Sequence, residues 1–407
     1  MLSKTVDRVV ALAALIAVAA YFKHISDFYM PTRWAADLQY WWVAGQLWWS
    51  GLTPYDDAYW LLGREQFPNS FEHPFFYPPS TVPFLGVFAL AEPAMASRLL
   101  LIFNLCMVLG AAVFLALGAP RPMHLRTPLR FALLAVLMGV GFFPTLVATA
   151  FGGFQFVLLA GLLLWIAGAR GGLAVPQAVG LILLMMKPQF GAPLALYCLI
   201  VPQFRLGAVI AGAGVGALFL IGGNGTGLVD LVSAWLSNVA DYAGYDVNRS
   251  ERGAGLGWIL GTLGYEPGVV GTAAPLLLVS AAIAVFSPLR EPMTVSILIM
   301  LLACFFWAGH QSDFVVFAPL FAVLFWRGDL KARLVLALAL VPLSRGYEIT
   351  AMMGGDAAEG ALETLAGLQT LGLLLAFAVV LWLSFRVRRV DEEPLSGRLL
   401  KRPQAAA

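Results

Sequence analysis

The sequence predicts an all-α, polytopic integral membrane protein, and three observations carry that prediction. Of the 407 residues, 60% are hydrophobic and only 12% charged, with mean hydropathy +0.83. Apolar stretches recur along the whole chain. Arg and Lys recur between them at alternating ends. A soluble domain carries about 25% charged residues, so this chain lacks the charge to cover a watery surface and needs lipid as its solvent. A formal net charge of +2 offers no basic field for nucleic acid.

The first stretch, 8–22, follows Lys4 and Arg8 and reads as an uncleaved transmembrane helix. Ala17-Val18-Ala19 also fits a cleavage site, which leaves a cleaved signal peptide as the alternative. Further stretches run over 80–118, 131–150, 154–169, 173–186, 190–201, 205–222, 269–287, 292–308, 313–326, 332–347 and 366–385. A crossing needs roughly 20 helical residues. Several stretches are shorter, which predicts broken helices shielded by their neighbours. The block 80–118 is long for one crossing and suggests a short embedded helix before a full one.

Positive charge sets the expected orientation. Placing Lys4, Arg8, Arg121, Arg126, Arg130, Arg170, Arg205, Arg290, Arg327, Lys331, Arg333, Arg386, Arg388, Arg389 and Lys401 inside gives about twelve crossings, within about 10–13, with both termini in the cytoplasm. That arrangement takes 80–118 as one crossing and 173–201 as two. It puts 23–78, 223–268, 344–365 and a turn at 309–312 outside, and leaves 386–407 as a short cytoplasmic tail. The whole chain, 1–407, reads as one transmembrane domain. It contains no Walker-type GxxxxGK[ST], which argues against an ATP-driven pump. Cys106, Cys198 and Cys304 lie in apolar runs and are expected to be buried, inert thiols.

The first outer segment is rich in aromatic residues. Between Trp34 and Trp60 fall six of the twelve tryptophans. In WAADLQYWWVAGQLWWSG, Leu38, Trp41, Trp42, Gly45, Trp48 and Trp49 follow helical i, i+3, i+4 spacing, which predicts an amphipathic helix lying in the membrane interface. Gly51 and Pro54 supply its stop. Trp belts commonly anchor loops at membrane surfaces; a groove guiding a lipid-linked substrate is the sharper alternative. Asp37 sits in the first turn, where the helix dipole is expected to keep it ionised near neutral pH. Such a carboxylate suits proton abstraction from a hydroxyl, although an ordinary N-terminal acid has the same address. Tyr77-Pro78-Pro79-Ser80 then sets the angle at which the chain re-enters the membrane, with Glu72 and His73 just before it.

Other polar residues stand out against the apolar background. Lys187 lies in LILLMMKPQFGAPL. An ionisable group inside a membrane segment suggests function, with snorkelling to the interface as the alternative. His310 and Asp313 flank the turn GHQSD. Arg249 and Arg252 sit in DVNRSERGAG, a polar loop able to close over a substrate or simply to be solvated. Asp56 and Asp57 are adjacent rather than a spaced D-x-D, so no obligatory metal is expected.

Taken together, DLQYWWVAGQLWWSG, LTPYD and FFYPPSTVPFL resemble the D-x-x-x-Y-x-x-A … G-x-x-P-Y … Y-P-P pattern of bacterial glycosyltransferase family 87, in the GT-C superfamily. GGFQF at 152–156 is similar to that family's Gly-Gln turn, except that Phe154 separates Gly153 from Gln155. MMKPQF at 185–190 resembles its Lys-Pro, and WAGHQSDFVVFAP at 307–319 its late His-containing turn. The resemblance implies a GT-C-like fold and transfer of a hexose, mannose in the family, from a polyprenyl-phosphate sugar to a glycolipid or polysaccharide acceptor outside the plasma membrane. It implies no cofactor beyond that donor. Asp37 takes the place of the family's catalytic base, with Asp56 and Asp57 as fallback acids. One carboxylate without a covalent intermediate implies inversion. Lys187, Arg33, Arg249, Arg252, Arg345 and His310 are candidates to stabilise the leaving phosphate. Tyr40, Asp56, Asp57, Glu72, His73, Tyr77 and Gln155 complete the expected substrate site. A transporter or flippase of lipid-linked sugars is the alternative, although the chain lacks the two similar halves common in transporters.

Overall fold

The structure, a computed structural model, describes residues 2–29, 36–118, 126–245, 254–266, 268–286, 290–307, 310–321, 330–352 and 358–386. Every regular element among them is helical, and no strand forms. Among the described residues, four helices are long and apolar enough to cross a membrane: Lys4–Asp27, Pro93–Gly118, Pro202–Gly222 and Thr364–Leu383. A bent pair makes a fifth if counted as one span. Most of the other expected spans are present as shorter apolar helices.

Helix α1 (Leu2–Tyr29) leads into α2 (Ala36–Trp49) and α3 (Asp57–Gln66) of the first outer segment. The expectation of an interfacial, one-faced α2 is not met. Leu38, Trp41, Val43 and Ala44 are fully buried, and residues of every face from Leu38 to Gly45 are covered. A helix apolar all round packs inside protein rather than on a surface. Three of its four tryptophans act as structural donors: Trp42 Nε1 to the Ala91 carbonyl at 2.9 Å, Trp48 Nε1 to that of Ile221 at 2.9 Å and Trp49 Nε1 to that of Gly86 at 2.8 Å.

The block 80–118 divides as its length suggested. A 3₁₀ turn (Pro79–Thr81), the short α4 (Val82–Leu85) and a second 3₁₀ turn (Phe88–Leu90) precede the 26-residue α5 (Pro93–Gly118). The expected crossing 131–150 is bent by 60° between α6 (Thr127–Val136) and α7 (Phe143–Ala150). A π-helical stretch, Leu137–Gly141, and Pro144 supply the break, as such kinks require.

Helices α8 (Gln155–Gly171) and α9 (Ala174–Leu184) meet through two glycines. A Cβ on Gly180 would lie 2.5 Å from the Gly161 carbonyl oxygen, and one on Gly161 2.8 Å from that of Gly180. Small residues permit the close backbone approach on which helix packing in lipid depends. Past α10 (Pro188–Ile200), α11 (Arg205–Gly222) sets Gly207 against Gln177 and Gly214 against Ile182. So α9 and α11 run side by side in one direction, and α10 returns the chain between them. The segment 173–201 is thus a hairpin of two short helices turning at Met185–Lys187.

The second outer segment is more helical than a loop: it holds α12 (Leu228–Ala243) and α13 (Leu256–Thr262). Then come α14 (Val269–Phe286) and α15 (Pro292–Phe306), the latter buried continuously from Val295 to Cys304. The expected span 313–326 begins instead as a 3₁₀ helix, Gln311–Phe317. Helix α16 (Leu330–Met352) runs on through much of the expected outer segment 344–365, and α17 (Ala358–Arg386) closes the described chain. The tail beyond Arg386 lies outside the described residues. Buried side chains from α1 to α17 form one contiguous apolar cluster. Cys198 and Cys304 are buried within it, whereas Cys106 is exposed on an outward face of α5.

Three arginines gather at one pole of this bundle. Arg126 pairs with Asp7 at 3.1 Å. Arg170, in the last turn of α8, pairs with Glu291, whose carboxylate also caps α15 by accepting from Met293 N at 3.2 Å and Thr294 N at 2.7 Å. Arg205 Nε donates to the Leu199 carbonyl at 3.0 Å, covering the end of α10. The opposite pole carries α2, the Lys187 turn and the end of α11.

Candidate active site

At that second pole, four breaks in the helical backbone meet. The first is the start of α2, where Asp37 N donates to the Phe151 carbonyl at 2.9 Å. The second is the turn 151–154 between α7 and α8. The third is Lys187, held extended (φ −121°, ψ 98°) before Pro188 at the first position of α10; proline favours both features. The fourth is the 3₁₀ helix after His310. Breaks of this kind are tolerated at membrane depth only inside protein or beside a cavity.

The central contact joins the third break to the fourth. Lys187 Nζ donates to Asp313 Oδ1, and both side chains are buried. The same ammonium lies 5.8 Å from the Phe154 ring centroid. Lys187 therefore does not snorkel: Asp313 gives its charge a partner at depth. Beside it, Gln155 Nε2 donates to Ser312 Oγ at 3.0 Å and ties α8 to the 3₁₀ helix. Gln155 Oε1 is buried with no hydrogen-bond partner among the described residues.

Asp37 faces these charges. Burial raises its pKa to about 6, with Lys187 pulling down and Asp313 pushing up. Dehydration thus outweighs the helix dipole that the sequence suggested would govern it. A pKa of about 6 still leaves the carboxylate roughly 90% ionised at pH 7. His310 keeps accessible surface. Burial lowers its pKa, opposed by Asp313 and aided by Lys187, so the imidazole is mainly neutral at pH 7.

Aromatic rings wall this centre. Phe154 lies 5.1 Å from Trp41 and 5.0 Å from Tyr77, centroid to centroid. Tyr40 belongs to the next layer: its hydroxyl donates to the Ser70 carbonyl at 3.3 Å and accepts from Glu72 N at 3.4 Å. Its ring is 5.5 Å from His73. His73 packs edge-on against Tyr242 and Tyr245 of the second outer segment, and burial lowers its pKa against the pull of Glu72. Glu72 is exposed, but its carbonyl accepts from the Tyr245 hydroxyl at 3.1 Å.

The structure does not bring every candidate to this centre. Asp56 and Asp57 stand exposed at the start of α3, where slight burial and the neighbouring Asp57 raise the pKa of Asp56. Arg33, Arg249 and Arg252 lie outside the described residues. Arg345 falls within α16, its side chain outside the description. Among the described residues no group of three His, Cys, Asp or Glu is placed to hold a metal. Sequence inspection gave Asp313 and Ser312 no role in the substrate site. The signal for Asp313 was present: a buried lysine demands an acid, and few acids occur in the apolar stretches.

Fold and site together define an all-helical protein of membrane character, with a buried charged centre at the pole opposite its basic end. Compared with known protein families, curated proteins and solved structures, the chain matches none of them.

Proposed function

We propose that the protein is a GT-C-like membrane glycosyltransferase. It moves a hexose, mannose by its resemblance, from a polyprenyl-phosphate sugar to a glycolipid or polysaccharide acceptor. The active site faces outward from the plasma membrane, following the positive-inside distribution of Arg and Lys. The supporting observation is Asp37: a carboxylate with a pKa raised to about 6, facing Lys187 and Asp313 where four helix breaks meet.

The chemistry follows from these groups. Asp37 accepts the proton of an acceptor hydroxyl, whose oxygen attacks the anomeric carbon. The carbon–oxygen bond to phosphate breaks, and the lipid phosphate leaves with that electron pair. Attack opposite the leaving group inverts the anomeric centre. Lys187 and the neutral His310 are the described groups suited to hold the departing phosphate, Lys187 by sharing its ammonium between Asp313 and the phosphate. The aromatic wall of Trp41, Tyr77 and Phe154 suits a lipid-borne donor. Transport or flipping of lipid-linked sugars is the second reading, favoured by the buried Lys187–Asp313 pair, since such pairs also serve coupled transport.

Donor class provides the test. Membranes carrying the protein would be given radiolabelled mannose either on polyprenyl phosphate or on a nucleotide. Label reaching acceptor from the lipid donor alone is the expected result. Label crossing the bilayer while remaining on its carrier would select the flippase instead.

A further inference from the structure

Helix α12 presents three separate faces. Leu231, Trp235, Asn238 and Tyr242 form the packing face, turned toward the first outer segment. There Trp235 Nε1 donates to the Phe76 carbonyl at 3.0 Å and Asn238 Nδ2 to that of Phe75 at 3.1 Å. The Tyr242 ring stacks on Phe76 at 3.6 Å. Asp230, Ser233, Ser237 and Asp241 form a polar stripe. Val229, Val232, Leu236, Ala240 and Ala243 form a third, apolar stripe at i, i+3, i+4 spacing. Val229 is 80% exposed and Leu236 52%, with Val232 between them half-buried.

Its surroundings say what covers it. Helix α11, long and apolar enough to cross a membrane, ends at Gly222, and only five residues separate it from Leu228. At that end Leu220 and Ile221 are exposed, as the outward face of a span is. Trp48 and Asn224 fasten the junction, by Trp48 Nε1 to the Ile221 carbonyl at 2.9 Å and Asn224 Nδ2 to that of Trp48 at 2.8 Å. The apolar stripe of α12 therefore continues the lipid-facing surface of α11.

We infer that α12 lies in the plane of the membrane surface, its Val229–Leu236 stripe set among the upper acyl chains and its Asp230–Ser237 stripe in water. An amphipathic helix with a separate apolar stripe binds at that boundary. Its sequence, LVDLVSAWLSNVADYA, contains no Lys or Arg, so apolar burial rather than attraction to anionic headgroups holds it, and a zwitterionic bilayer suffices. With its packing face on the carbonyls of Phe75 and Phe76, α12 fixes the wall that ends in Tyr77 at the height of the lipid surface. This inference needs only the membrane character of the chain and stands apart from the transferase proposal.

Carbene labelling of the unmodified protein tests it. The protein would be placed in phosphatidylcholine vesicles containing a phospholipid with a diazirine high on its acyl chain, and the adducts located by mass spectrometry. Adducts are expected on Val229, Val232 and Leu236 as heavily as on Leu220 and Ile221, with Ser233 and Ser237 labelled only by a water-soluble diazirine. Lipid adducts on α11 but none on α12 would overturn the inference. So would labelling of Val229 and Leu236 by the water-soluble probe. Protection of both from either probe would overturn it too, because protein would then cover the stripe.

Discussion

Asp37 owes its chemistry to dehydration, and two pH dependences follow. With Asp37 as the proposed base, its ionised form would be the reactive one, so transfer at subsaturating substrate should rise with pH and reach half its plateau near the pKa of about 6, as a free enzyme's base dictates. A flat profile between pH 5 and 8 would exclude this role. Stability should move the other way. The folded carboxyl binds its proton more tightly than the unfolded one, whose pKa is 3.8, so the folded state loses stability as pH rises from about 4 through about 6. Thermal unfolding in detergent should therefore find Asp37→Asn at least as stable as wild type at pH 7.5, the advantage disappearing by pH 4. The pair Lys187–Asp313 behaves differently. Asp313→Asn leaves a buried ammonium uncompensated and should cost about 3–5 kcal/mol, much of which the double change Lys187→Met, Asp313→Leu should restore. Residues such as Asp37, Lys187 and His310 were legible in the sequence because polar groups are conspicuous in an apolar chain. Asp313's partnership was not, because 126 residues separate it from Lys187 and no local pattern spans that gap.

Among the elements, the contrast between α2 and α12 is instructive. Both show helical apolar spacing. In α2 that spacing looked one-faced because tryptophan dominates it, yet off the stripe Val43 and Ala44 are small or apolar and Gln39 and Gln46 bond Ser70 and the Ala89 carbonyl, so neighbours close over every side. Tertiary packing, which no window of sequence contains, decided its place. The end of α2 was readable: Gly51 takes φ +81° with Gly51 N and Leu52 N donating back to Trp48 and Leu47, the Schellman pattern that glycine favours. Gly51→Ala meets no atom within 4 Å, so its expected cost of about 1 kcal/mol is conformational alone. Gly180→Ala carries a steric clash as well, against the Gly161 carbonyl, and should lower the unfolding midpoint further than Gly51→Ala does in the same detergent. Equal midpoints would mean that α8 and α9 relax apart without cost.

For the whole molecule, composition and the recurrence of apolar stretches were enough to anticipate an all-helical protein of membrane character. The lengths of the spans were less legible. Stretches such as 154–169 and 292–308 end in helices too short to cross alone, because the turn at 151–154 and the break before the 3₁₀ helix divert backbone into the site. The central claim, that this pole transfers a lipid-borne sugar with Asp37 as base, meets its most direct test in proteoliposomes of purified protein. Wild type and Asp37→Asn, matched for amount and fold, would be supplied with polyprenyl-phosphate-[¹⁴C]mannose and an acceptor glycolipid. Labelled acceptor from wild type, reduced by roughly 10²–10⁴-fold in the variant, is the predicted result; equal transfer by both proteins would contradict it.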